Sequence, residues 1–170
     1  MRYRRMVMEV ESPEEQGYGA IRNNLAESSI RELNLGELHV DIGSLIPAYG
    51  DHAGNPELRA LIAEQTGGIT AQDVILTAGA AMALFIAATA LLERGDHLVV
   101  ERPNYASNLE TPRAIGCAID RVDLQFEDAY RLDLERVAAS LRRDTKLVSV
   151  TTPHNPTGSR LDQHELATLS

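Results

Sequence analysis

Lysine is almost missing from this chain. Lys146 is the single lysine among 170 residues, so any chemistry that needs a lysine has one candidate. Cysteine is equally scarce: Cys117 alone rules out an internal disulfide and a paired-cysteine metal site. It lies in an apolar run, Ile115 to Ile119, and reads as a small buried hydrophobe. Basic residues are outnumbered, 16 against 25 acidic, for a net charge of −9. That balance excludes nucleic acid and anionic membrane surfaces, both of which need a basic face. No apolar run approaches membrane-spanning length. The amino-terminal Met6-Val7-Met8 is cut short by Glu9, too soon for a signal-peptide core. The expectation is a cytoplasmic protein in a reducing compartment. The five histidines show no metal-ligand spacing, and no metal is expected.

What is present reads as an α/β protein with a mostly parallel sheet and flanking helices, preceded by an amino-terminal arm. Ser12-Pro13-Glu14-Glu15 has the form of a capping box and predicts a helix toward Glu27. Residues 28 to 55 keep no clean period and carry several glycines. Asn55-Pro56 starts a helix that ends near Gly67-Gly68. A regular alternation follows. Strands are predicted at Asp73–Thr77, His97–Glu101, Cys117–Val122 and Lys146–Thr151. Helices are predicted at Ala80–Leu92, Tyr105–Ile115 and Leu132–Leu141. Such alternation means βαβ units and right-handed crossovers. The division expected is residues 1–47 as an arm or part of a small domain and 48–170 as a partial ligand-binding large domain. Asp162 opens a final helix that nothing closes, which predicts that the chain is a piece of something longer.

Three loops follow strands at what a parallel sheet makes a common edge, where ligands of such sheets bind. Thr77-Ala78-Gly79-Ala80-Ala81 joins a strand to a helix with nothing bulky, and the first amides of a helix attract anions. It has no lysine, so it is not a P-loop, and the dinucleotide glycine pattern is missing. Pro103-Asn104-Tyr105 offers an aromatic ring. Pro153-His154-Asn155-Pro156-Thr157-Gly158 offers a stiffly held amide, with His154 read as solvent-side or structural. Each loop alone also reads as an ordinary turn. Together they describe a pocket for a flat, phosphorylated, hydrogen-bonding ring.

At this point the chain resembles the class I/II aminotransferases, pyridoxal-phosphate enzymes of fold type I. Four segments stand in the family's order: Tyr49-Gly50-Asp51-His52-Ala53-Gly54 with Leu58-Arg59, then Thr77 to Leu84, Pro103-Asn104-Tyr105, and Asn155-Pro156-Thr157-Gly158. The resemblance runs from about residue 48 to the end and implies pyridoxal 5′-phosphate as cofactor. It implies that backbone amides of Gly79, Ala80 and Ala81 hold the phosphate, that Tyr105 stacks on the ring, and that Asn155 bonds the ring's 3-oxygen. It implies a homodimer in which Tyr49 reaches the neighbouring subunit's phosphate, and cis peptides before Pro103 and Pro156.

The resemblance also implies an aimed acidic group, a substrate-binding arginine and an aldimine-forming lysine, all after the Asn-Pro-Thr-Gly loop. Lys146 precedes that loop, so no catalytic residue is assigned in this chain. The expectation is the amino-terminal part of an enzyme that moves an amino group from an amino acid to a 2-oxo acid, inactive alone. Two alternatives share the cofactor fold: a lyase, decarboxylase, cyclase or synthase on an amino acid, or a non-catalytic remnant. Two arm segments, Leu25 to Ser28 and Leu35 to Leu38, stand where the family has a Gly-Glu-Pro-like stretch. Neither matches cleanly.

Overall fold

A computed structural model describes residues 1–23, 25 and 33–170. These fall into two compact units, one of residues 7–77 and one of residues 1–6 with 78–170.

The unit of residues 7–77 holds helices α1 (Val7–Val10), α2 (Pro13–Gln16) and α3 (Pro56–Thr66). The long helix expected from Ser12 stops after one turn. Gly17 takes a positive φ of 78°, which breaks the helical path, and a 3-10 turn follows at Tyr18–Ala20. Its predicted end at Glu27, and most of the Leu25 to Ser28 segment, lie outside the described residues. Helix α3 starts as expected. Asn55 accepts the Leu58 amide at 3.0 Å, and Pro56 occupies the first turn, where a missing N–H costs nothing.

The strand expected at Asp73–Thr77 is not formed. Asp73 closes a 3-10 turn, Ala71–Asp73, whose start is capped by Thr70. The Arg59 guanidinium takes the carbonyls of Val74 at 2.8 Å and Ala71 at 2.6 Å. The Val74 acceptor is occupied by a side chain, and Leu76 N–H reaches the Ala53 carbonyl at 2.9 Å without extending into a ladder. Gly54 permits that approach, since a Cβ there would sit 2.5 Å from the Leu76 Cβ.

The second unit is the sheet. Its elements are α4 (Ala80–Leu91), β1 (His97–Arg102), α5 (Ala106–Ile115), β2 (Ala118–Asp123), α6 (Leu134–Ser140), β3 (Thr145–Ser149) and α7 (Gln163–Leu169). The strand order is β2-β1-β3, and both pairings are parallel. Central β1 is buried on both faces, as helices over a parallel sheet require. Alternate side chains serve opposite sides. Leu98 and Val100 pack with Ala88 and Leu92 of the α4 end and Leu109 of α5. Val99 packs with Val122, Leu124, Leu132 and Val137. Cys117 is half-buried against the first of these clusters, its thiol pushed up from its ordinary range by burial and then by Asp96.

The two edges of the sheet are tied differently. At the amino-terminal edge, buried His97 sets Nδ1 2.8 Å from the Thr145 hydroxyl and Nε2 3.3 Å from the Asp120 carboxylate. Arg142 also grips that carboxylate, and its hydrogen bonds hold the Asp120 pKa below the usual range. At the carboxyl-terminal edge Arg102 and Asp123 pair through two bonds of 2.7 and 2.6 Å. Both side chains are about half exposed, so this pair contributes little. Burial of β1 dominates. Leu98→Ala is expected to lower unfolding free energy by about 2–5 kcal/mol, whereas Lys146→Ala, on an exposed position of β3, changes it by less than about 0.5 kcal/mol. Urea unfolding followed by circular dichroism checks both.

Candidate functional site

The carboxyl ends of β1 and β3 and the start of α4 surround one cleft of about 740 Å³, within the size range of small-molecule sites. Gly79, Ala80, Ala81 and Leu84 line one side, Asn104, Tyr105 and Asn108 another, and Ser149 to Thr152 with Asn155 a third. No charged side chain is among them.

Each contribution has a local cause. Gly79 is the residue before α4 and adopts φ 88°, ψ 160°, a conformation that disfavours any side chain. A Cβ placed there would meet nothing within 4 Å. The turn therefore presents backbone to open space. Among the described residues no side chain caps the twelve-residue α4. The positive end of its dipole lies at this turn, a place that favours an anion. Tyr105 stands immediately before α5 with extended backbone, 45% exposed. Asn155 sits in a loop closed by two backbone bonds, His154 N–H to Ser159 at 2.8 Å and Gly158 N–H to His154 at 2.7 Å. The peptides before Pro103, Pro153 and Pro156 are cis.

Behind this surface lies a buried polar network. Glu101, 2% exposed, ends the apolar run of β1. Its Oε1 accepts the Thr151 amide and faces Asn104 Nδ2 at 3.4 Å and His154 Nε2 at 3.7 Å. Asn104 Oδ1 in turn accepts the Tyr105 amide at 2.7 Å and Asn108 Nδ2 at 2.9 Å. His154 Nε2 lies 2.9 Å from the Pro103 carbonyl, which can only accept, so Nε2 carries a proton. Nδ1 meets the Thr157 hydroxyl at 2.7 Å. Burial raises the Glu101 pKa above its ordinary 4.5, against the opposing pull of the Thr151 amide and His154.

Of the residues singled out in the sequence, Gly79, Ala80, Ala81, Tyr105 and Asn155 come together around this cleft. Tyr49 lies in the other unit and is fully exposed. Lys146 lies one residue into β3, at the end of that strand away from the cleft. His154 is 4% exposed, so the solvent-side alternative for it falls, and its bonds make it structural. The phosphate-turn candidate does not follow a strand, because residues 74–77 form none. Sequence reasoning missed Glu101, Asn104 and Thr151. The signal was there for Glu101: an acid closing the otherwise apolar His97-Leu98-Val99-Val100 run must be buried with partners.

The cleft thus brings together a helix start, an aromatic ring and a side-chain amide, with no charged side chain in its lining among the described residues. Comparison with known proteins gives the family. Residues 22–170 match the family described as aminotransferase class I and II. An aspartate aminotransferase of Pyrococcus horikoshii is 29% identical over 86% of this chain and 37% of its own length. A methionine aminotransferase of Escherichia coli is 34% identical over 71% of this chain and 33% of its own. A solved PLP-dependent aminotransferase from Streptococcus suis superposes with a TM-score of 0.72 at 25% identity, over 80% of this chain and 36% of that one. The chain belongs to the class I and II aminotransferases, and membership implies pyridoxal 5′-phosphate as the cofactor. It spans about a third of the length of the relatives it matches.

The raised Glu101 pKa has a sign that can be checked. Between about 4.5 and the raised value, the folded state holds more protons than the unfolded. The contribution of this group is therefore full below pH 4.5 and lost as pH rises through the folded pKa. Relative to Glu101→Gln, which stays neutral, wild-type stability is expected to fall as pH rises from about 4 to 8, measured by urea unfolding at each pH.

Proposed function

We propose that these residues form the cofactor-binding part of an aminotransferase that moves an amino group between an amino acid and a 2-oxo acid. What supports the reading is the uncharged cleft shared by Gly79, Ala80, Ala81, Tyr105 and Asn155. In this reading the backbone of Gly79, Ala80 and Ala81 holds the cofactor phosphate at the positive end of α4. Tyr105 lies against the ring face and fixes its plane. Asn155 donates from Nδ2 to the ring's 3-oxygen, which sets the ring's rotation and favours negative charge on that oxygen. When bound, pyridoxal phosphate supplies an electron sink for bonds at the α-carbon of an amino acid.

The role assigned to these residues is binding and orientation. Covalent attachment and proton transfer in this chemistry call for a lysine. No lysine lines the cleft among the described residues, and Lys146 is at the wrong end of β3. We therefore infer that the 170 residues alone bind the cofactor without completing the transfer.

The proposal includes a homodimer in which Tyr49 of one copy reaches the phosphate end of the other copy's cleft. Exposed apolar side chains on α4, with Met82 46%, Phe85 37% and Ile86 41% exposed, favour association. Sedimentation is expected to show self-association that Phe85→Glu weakens. Only monomer at all concentrations would overturn the dimer.

Equilibrium dialysis with pyridoxal 5′-phosphate tests the site itself. Saturable binding is expected, weakened by about tenfold in Asn155→Ala through loss of one hydrogen bond to a charged oxygen. Tyr105→Ala is expected to lose about tenfold through loss of ring packing. Affinity unchanged in both variants would remove the reading.

A further inference from the structure

The cleft-lining residues say what touches a ligand but not what holds Tyr105 and Asn155 at their places. Neither side chain belongs to a strand. Each immediately follows a buried residue of the polar network: Asn104 precedes Tyr105, and His154 precedes Asn155. From this juxtaposition we infer that Glu101 and His154 act together as positioning residues, a buried latch that sets the aromatic plate and the aimed amide relative to each other. The inference rests on the cofactor reading above and adds residues to it.

The connections run in both directions across the sheet edge. From β1, the Glu101 carboxylate takes the Thr151 amide, one bond beyond the point where the β1–β3 register ends at Val100 and Ser149. It thereby holds the chain leaving β3, which continues into the Asn155 loop. From that loop, His154 Nε2–H returns to the Pro103 carbonyl, two residues before Tyr105. The Asn104 side chain bridges the remaining gap, offering Nδ2 toward Glu101 and Oδ1 to the Tyr105 amide. Beyond His154, the Thr157 hydroxyl meets Nδ1 at 2.7 Å and Ser159 Oγ at 3.0 Å, so the ring is held on both nitrogens.

A carboxylate nearly sealed from solvent is costly unless its acceptors are used. Leu or Gln in its place would be cheaper for packing alone. Burying the charge here, beside the His154 bond to the Pro103 carbonyl, joins the two turns into one unit. The bonds of this network join residues of the β1 and β3 ends and their loops, and none of them is made by the Gly79 turn. The latch therefore governs the ring-binding half of the cleft and leaves the phosphate turn alone.

That division makes the inference testable with two probes, pyridoxal 5′-phosphate and inorganic phosphate, by calorimetry on the same protein. In Glu101→Ala, affinity for pyridoxal 5′-phosphate is expected to fall about tenfold while that for inorganic phosphate stays within about twofold. Glu101→Gln keeps an acceptor for the Thr151 amide and is expected to recover to within about threefold of wild type. His154→Ala is expected to lose about as much as Glu101→Ala, and the double variant no more than the larger single loss, since the two act as one unit. Should Glu101→Ala not fold, His154→Ala carries the same comparison. A parallel fall for both probes, unchanged pyridoxal 5′-phosphate affinity, or additive losses in the double variant would each overturn the latch. Wild-type protein that binds phosphate but not pyridoxal 5′-phosphate would overturn the cofactor reading and the latch together.

Discussion

One hydrogen bond at the sheet edge organises the cleft: the Thr151 amide donated to the buried Glu101 carboxylate. Parallel pairing carries β1 and β3 side by side only as far as Val100 and Ser149. Beyond that point the strands diverge into loops, and backbone pairing has nothing more to say about their separation. The carboxylate extends the registration past the end of the ladder. It does so in a place where an unpaired charge would be costly, so the arrangement is all-or-none in character. The loops inherit a fixed spacing from the sheet instead of wandering from it.

The absence of charged groups from the cleft lining has a physical meaning for recognition. A phosphate held by backbone amides at a helix start is held by oriented dipoles, which need no counter-charge and present no titratable group. The charges that exist nearby are spent on the scaffold: Glu101 beneath the loops, Arg102 with Asp123 at the rim, Arg142 with Asp120 at the far edge. In the proposed reading the charged groups serve the scaffold and the uncharged ones line the cleft, and Asn104 and Thr151 belong to both the lining and the network beneath it.

Much of the sheet unit was legible from residue pattern. The segments read as strands at His97–Glu101, Cys117–Val122 and Lys146–Thr151 correspond to β1, β2 and β3 within a residue or two; only β1 is buried on both faces, and its Leu98-Val99-Val100 is the continuous apolar stretch such burial writes. Turn chemistry located the loops that gather at the cleft. Two things were not legible. The Asp73–Thr77 segment has strand-like composition, yet Arg59, 15 positions before Val74, takes the Val74 carbonyl, and no local pattern announces that. The partnership of Glu101 with His154 spans 53 positions, and periodicity cannot report a contact between distant polar residues. His154 looked like a loop residue because its loop is a turn; its burial comes from the neighbouring strand end.

The near-absence of lysine has a practical consequence. Reagents that seek primary amines find one side chain, Lys146, exposed near the first residue of β3, besides the chain's amino terminus. Five strand positions separate it from Thr151, roughly 16 Å along the chain. A fluorophore or spin label attached there would report on the cleft from across the sheet without standing in it. Any aldehyde that condensed with Lys146 would likewise mark the far rim of the molecule, which gives the chain a built-in way to tell adventitious adducts from occupancy of the cleft.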